Sequence, residues 1–187
     1  MKVATMTKIL FLDLDGTVRR TKSGATFITD PYDQELIPGA GEAIARYHNW
    51  LIIGITNQGG VKAGFKSFEA CLQEQRNTLS LIPTMIKIFF CTDDGEGFYR
   101  LSRYYNEPLF SDRAIDFGNF RKPNPGMLNY GKTLYPNNAY MMVGDRPEDK
   151  QCADNANVPF MWAKDWRNDK QDSKIIYLHG ARASTAN

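Results

Sequence analysis

Cysteine and histidine are scarce in this chain of 187 residues, which holds three of the first and two of the second. Cys71, Cys91 and Cys152 lie far apart, form no C-x-x-C pair and are odd in number, so a reduced, intracellular protein is the simplest reading. His48 and His179 stand alone, without other ligand types nearby, and fit core or surface roles better than catalysis. Long apolar runs are missing as well. The longest early one, Ile9–Leu12, stops at Asp13 and is too short for a signal-peptide core or a membrane span, so a soluble, cytoplasmic protein without membrane contact is expected. There is no excess of charge of one sign. Against 23 Lys+Arg stand 21 Asp+Glu, and a net charge of +2 does not by itself indicate nucleic acid or a membrane surface. No P-loop of the form G-x-x-x-x-G-K-[ST] occurs, so this chain alone should not phosphorylate ends.

What is present is a globular composition, 42% hydrophobic and 24% charged, on a chain long enough for one continuous core. Apolar segments alternate with amphipathic ones. Lys8–Leu12 (KILFL) has strand length and runs into an Asp-Gly turn signal. Residues 16–37 are polar, with no convincing helix, and Gly41–His48 reads as helical. Leu51–Ile55 is a second buried-type strand, and Ser67 is a plausible N-cap for a helix to about Ser80. Ile86–Cys91 reads as a third strand, followed by a long irregular stretch to Pro125 and a short helix, Met127–Leu134. Ala139–Val143 is the fourth strand, Pro147 opens a helix to about Ala156, and Val158–Trp162 is the fifth strand. The alternation implies right-handed crossovers and a mostly parallel sheet, hence an α/β fold with its ligand site at the carboxyl ends of the strands. Residues 1–168 are expected to form the domain, and 169–187 a polar tail ending in ARASTAN. Trp50, Trp162 and Trp166 are read as packing residues.

The informative residues stand just past the strand ends. The first strand ends in Asp13-Leu14-Asp15-Gly16-Thr17, whose two carboxylates can face one site because residues two apart share a side of a strand. The second ends in Thr56-Asn57, a hydroxyl followed by backbone donors; the fourth ends in Gly144-Asp145, with Asp149 in the next helical turn; Lys122 approaches the fourth unit. Strand ends of a parallel sheet lie on one edge, so these groups should converge. Two like unit charges at 4 Å repel by roughly 4 kcal/mol at an effective dielectric near 20, and one lysine offsets only part of that. An all-oxygen donor set without Cys or His favours Mg²⁺ over Zn²⁺. Each Asp taken singly is also a common cap or turn residue.

FLDLDGTV, TNQGG, RKPNPGM and VGDRPED, in that order, resemble the four motifs of the haloacid dehalogenase (HAD) superfamily of phosphohydrolases, from about Lys8 to Trp162. The resemblance looks closest to the branch of histidinol-phosphate, heptose-bisphosphate and polynucleotide 3′-phosphatases. It implies a HAD-like, Rossmannoid three-layer sandwich, and no insertion between Gly16 and Thr56 or between Gly60 and Lys122 is large enough for a separate cap domain. By the same resemblance Asp13 is the nucleophile that forms an aspartyl-phosphate, and Asp15 protonates the leaving oxygen and later deprotonates water. Thr56 and Asn57 would hold the phosphoryl group, and Lys122 would offset its charge. Mg²⁺ would sit on Asp13, the backbone carbonyl of Asp15 and Asp145, with Asp149 as direct ligand or behind them.

The acid at Asp15 favours a phosphatase, or a phosphotransferase or mutase, over the superfamily's dehalogenases and transport ATPases. The substrate reading leans toward a polynucleotide 3′-phosphate end, because Arg19-Arg20-Thr21-Lys22-Ser23-Gly24 and TNQGG are similar to stretches of polynucleotide kinase-phosphatases. Arg20 and Arg121 are candidate substrate contacts, with a solvated turn the competing reading for Arg19, Arg20 and Lys22. Phe98, Tyr99, Arg100, Arg103, Tyr104, Tyr105, Arg113 and Arg121 have the mixture that can stack bases and track a phosphate backbone, while a loop anchored by its aromatics, with the arginines in water, is the favoured reading. A small metabolite such as a sugar phosphate, heptose bisphosphate or histidinol phosphate is the alternative substrate, and a non-catalytic binding module on the same fold is the remote one. Cys91 has no further Cys or His before Lys122, which argues against a zinc loop. Oligomeric state is not legible.

Overall fold

The computed structural model describes residues 7–103, 105–109 and 117–169. The expected tail therefore lies, from residue 170 on, outside the described residues, as do His179, Tyr104 and Arg113. The strands are β1 (Lys8–Leu12), β2 (Arg19–Arg20), β3 (Glu35–Leu36), β4 (Trp50–Asn57), β5 (Met85–Cys91), β6 (Phe98–Leu101), β7 (Asn106–Leu109), β8 (Ala139–Gly144) and β9 (Phe160–Trp162). The helices are α1 (Ala40–Ala45), α2 (Phe68–Leu81), α3 (Gly126–Leu134), α4 (Pro147–Asn155) and α5 (Ala163–Asn168).

One sheet runs in the order β7-β6-β5-β4-β1-β8-β9. Its five members from β5 to β9 are parallel, and β6 and β7 add an antiparallel edge. β1 lies inside it, paired with β4 on one side and β8 on the other. Burial on both faces explains why Ile9–Leu12 is apolar throughout rather than alternating. Leu10 and Leu12 pack on one face with residues of α1, α2 and α5, while Ile9 and Phe11 pack on the other with residues of α3 and α4. The result is the three-layer α/β sandwich expected, and no cap domain stands among the described residues.

The expected irregular stretch before Pro125 instead contains the β6–β7 hairpin. Its first strand hides because Phe98 and Leu101 are buried while Tyr99 and Arg100 between them are half-buried, a pattern without period-two alternation. Phe98 packs on Phe89, Phe120 and Tyr130, and Tyr99 on Phe68 and Phe90. Arg100 donates to the Tyr130 hydroxyl (3.0 Å), and Arg103 to the carbonyls of Leu79 and Pro83 at the end of α2 (2.9 and 2.8 Å). The segment is thus an anchored hairpin. Of the three tryptophans, Trp50 and Trp166 are buried, as expected of packing residues, and Trp162 is exposed.

Candidate active site

Asp13 leaves β1 inside the sheet. Its N–H still donates to Val143 O (2.9 Å), which carries the β1–β8 pairing one residue past the strand and sets where the carboxylate emerges. The chain then winds tightly: the N–H groups of Thr17, Val18 and Arg19 all donate to Leu14 O. Gly16 adopts φ +87°, and a Cβ on it would collide with the Asp145 carboxylate. Gly144 likewise has no room for a side chain, because Asp149 lies directly against it. These two glycines allow the ends of β1 and β8 and the start of α4 to close on one another.

Carboxylate oxygens of Asp13, Asp145 and Asp149 lie within 4.8 Å of one another. Asp13 and Asp149 are buried, and Asp145 faces solvent. Lys122, 5% exposed, stands among them, its Nζ donating to Asp13 Oδ1 and Asp149 Oδ1 (2.6 Å each) and to Ile55 O (3.1 Å). Asp149 Oδ2 accepts from the N–H of Arg146 (3.1 Å), so this residue caps α4 and holds the lysine at once. Thr17 Oγ1 donates to Asp13 Oδ2 (2.9 Å) and lies 3.4 Å from Asp145 Oδ1.

Burial pushes the Asp13 carboxyl up to about 7, against the pull of Lys122 and with a further push from Asp149. Burial and Asp149 raise Asp145 too. Burial opposes the charge on Lys122, but Asp13 and Asp149 outweigh it and hold the ammonium above its ordinary range. Three carboxylates face one ammonium, and every donor is a hard oxygen. That surplus suits a small divalent cation better than zinc. Among the described residues no other group of three acidic, His or Cys side chains has this geometry.

Asp15 belongs to a second cluster. Its Oδ1 accepts from Arg19 Nε (2.9 Å), and its Oδ2 from Arg19 Nη2 (3.2 Å) and Gln58 Nε2 (3.1 Å), with Thr56 Oγ1 at 3.5 Å. Burial opposes the charge on Asp15, yet Arg19 above all, then Lys66 and Gln58, hold the carboxyl below its ordinary range. The Asp15 side chain is therefore outside the carboxylate trio, and only its backbone carbonyl is left for the metal role expected of it.

Asn57 has a different post from the one expected. Its Nδ2 donates to Lys122 O (2.9 Å) and its Oδ1 accepts from Lys122 N–H (3.1 Å), a two-point clamp on the residue whose ammonium enters the trio. Arg20 is exposed and pairs with Glu35 across the β2–β3 ribbon. It points to the side of the strand opposite Arg19, and its structural bond is not to any site residue. Arg121 lies over Gly59 and donates to Asp93 O (3.2 Å), beside the loop that follows β4. Sequence reasoning missed Thr17 and Gln58, both inside quoted motifs, and also Lys66 and Glu74. Arg19, read as part of either a solvated turn or a substrate flap, is neither: it is fully buried.

Solved structures share this architecture. A Mesorhizobium loti protein described as a HAD-like phosphatase matches with TM-score 0.60 and 26% identity over 82% of this chain and 70% of its own. D,D-heptose 1,7-bisphosphate phosphatase of B. bronchiseptica, solved with magnesium and phosphate, matches with TM-score 0.58 and 24% identity over 82% and 79%. Fold, site and relatives together define a phosphatase of the HAD superfamily. In the same branch, D-glycero-beta-D-manno-heptose-1,7-bisphosphate 7-phosphatase of Mesorhizobium japonicum is 30% identical over 163 residues, 83% of this chain and 69% of that protein. Residues 8–181 match the family model for polynucleotide kinase 3 phosphatase, and the chain belongs to that family.

Proposed function

We propose that the chain is a Mg²⁺-dependent phosphomonoesterase that works through an aspartyl-phosphate on Asp13. The observation that carries this is the meeting of Asp13, Asp145 and Asp149 around Lys122 at the carboxyl edge of the sheet. Asp13 and Asp145, with the Asp15 carbonyl, would hold Mg²⁺, whose charge lets an anionic ester approach an anionic nucleophile. Asp149 acts behind them by holding Lys122. An Asp13 oxygen attacks phosphorus, the bond from phosphorus to the leaving oxygen breaks, and that oxygen takes a proton from Asp15, which Arg19 holds ionised in the free protein and which would gain that proton from the monoprotonated ester as it binds. Water then gives a proton to Asp15 and attacks phosphorus, the Asp13–phosphorus bond breaks, and phosphate departs. Thr56 and the backbone after it orient the phosphoryl oxygens, and Lys122 offsets charge as it develops.

For the substrate, a polynucleotide 3′-phosphate end is supported by the family model and by the solvent-facing Asp145. The anchored β6–β7 hairpin lends it no support. A small sugar phosphate is favoured by the heptose-bisphosphate phosphatase relative. A non-catalytic module is disfavoured because every catalytic position is filled. Three buried, free thiols support a cytoplasmic setting, and no helix among the described residues is long and apolar enough to cross a membrane. The test is phosphate release from a 3′-phosphorylated oligonucleotide, heptose 1,7-bisphosphate and p-nitrophenyl phosphate, with Mg²⁺ or EDTA. Mg²⁺-dependent turnover is expected. Oligonucleotide turnover that falls steeply with salt favours the polynucleotide reading, better turnover of the bisphosphate favours the sugar, and full activity in EDTA contradicts the metal assignment.

A further inference from the structure

Arg19 has no solvent exposure, and its guanidinium touches four side chains. Nε and Nη2 grip the two oxygens of Asp15, Nη2 also reaches Glu74 Oε1 (2.5 Å), and Nη1 reaches Thr78 and Gln34. Glu74 is 1% exposed and is also paired with Lys66, whose Nζ continues to Gln58 Oε1 (3.1 Å). Gln58 Nε2 returns to Asp15 Oδ2. The ring Asp15–Arg19–Glu74–Lys66–Gln58–Asp15 is closed, with two carboxylates against two cations.

A staple that only fastened the β2–β3 ribbon to α2 would need Arg19, Glu74, Thr78 and Gln34, but not Asp15. Arg19 spends its fork on Asp15 nevertheless. A loose carboxylate two residues from Asp13 would be drawn toward any cation held by the trio. The planar guanidinium, whose donors are fixed relative to one another, holds it out of that cluster in one orientation.

We infer that Arg19, itself held by Glu74, is a positioning residue that keeps the Asp15 carboxylate aimed at the leaving oxygen and away from the metal. This rests on the phosphatase reading with Asp15 as its acid and base. A misaimed acid hurts poor leaving groups most, because they depart only as the proton arrives, whereas p-nitrophenolate leaves without one. The readout is kcat/KM, which covers the chemistry through loss of the leaving group.

The experiment compares phenyl phosphate and p-nitrophenyl phosphate at saturating Mg²⁺ for the unaltered protein, Arg19→Met, Arg19→Lys, Glu74→Gln and Asp15→Asn, with thermal melts of each. Arg19→Met is expected to lose on the order of 100-fold in kcat/KM on the phenyl ester and less than about 10-fold on the nitrophenyl ester. Arg19→Lys should recover part of the loss, and adding Arg19→Met to Asp15→Asn should cost nothing further. Equal losses on both esters, or losses that multiply in the double variant, would overturn the inference. Should Arg19→Met not fold, Glu74→Gln is read by the same two criteria. Asp13→Asn serves as the separate control: turnover surviving in that variant would remove the nucleophile itself, whatever Arg19 does.

Discussion

Two ionic clusters flank the turn after β1, and they are built on opposite plans. Around Asp13, three carboxylates share one ammonium, and one of the three, Asp145, faces solvent. Around Asp15, the carboxylates of Asp15 and Glu74 are matched by Arg19 and Lys66, with Arg19 and Glu74 sealed from water. Buried charges are costly unless paired, so the second cluster is complete as it stands, while the first keeps a negative surplus beside an opening. Incompleteness marks the place where an ion and an anionic ester can enter. Completeness marks a device for holding one side chain still.

The largest loss is expected at Lys122. Lys122→Met leaves Asp13 and Asp149 buried without a counter-charge, and steady-state turnover of p-nitrophenyl phosphate should fall by on the order of 10³-fold. Asp145→Asn removes a proposed ligand from the open edge but leaves the lysine pairs intact. The Mg²⁺ concentration for half-maximal activity should then rise by roughly 10- to 100-fold, with a smaller change in turnover at saturating metal.

A pH prediction separates the clusters without mutation. In EDTA, Asp13 keeps its proton up to about 7 in the folded protein, whereas the unfolded chain loses it in the ordinary carboxylate range. The folded state binds more protons in that window, so this group's contribution to stability falls as pH rises through it, by up to about 1.4 kcal/mol per unit. Asp15, held low, acts in the opposite direction: its contribution is present above the unfolded value and is lost only in more acid solution. Urea melts between pH 4 and 7 should show Mg²⁺ stabilising progressively more at the upper end, because the metal binds the carboxylate form. Equal Mg²⁺ stabilisation across that range would contradict the unbalanced cluster. The smallest effect is expected outside both clusters. Ser67 caps α2 through Ala70 N–H (3.1 Å), and Ser67→Ala should cost about 1 kcal/mol in urea melts with kcat unchanged.

The unbalanced cluster was legible in the sequence, and the balanced one was not. Asp13, Asp145 and Asp149 sit in motifs that come after strands of strong apolar pattern, and a parallel sheet brings such ends to one edge whatever the side chains do; Lys122 lies in an irregular approach and was marked by its RKPNPGM motif alone. Arg19 carried a different signal, a stretch similar to polynucleotide kinase-phosphatases, which pointed to substrate and not to Asp15. Beside Arg20 it reads as a solvated basic turn, and only β2, two residues long, turns one arginine inward and the other outward. Glu74 sits in α2 among residues that look like a polar face, because its partner comes from 55 residues away. The β6–β7 hairpin was hidden by an arginine with a phenolic partner across the fold, a pairing that no local periodicity encodes. Asn57 was placed correctly at the end of β4, but its side chain serves the Lys122 backbone, and hydrogen-bond partners of an amide are not written in its neighbours.

A nucleophilic Asp13 in the unbalanced cluster must carry the phosphoryl group during turnover. Enzyme mixed with Mg²⁺ and p-nitrophenyl phosphate, quenched in acid within the first turnovers and digested, should yield one phosphorylated peptide containing Asp13, its label released by hydroxylamine as an acyl phosphate requires. Asp13→Asn should yield none. A quench that captures no phosphorylated peptide while substrate is being turned over, or one whose label maps to another residue, would contradict the account.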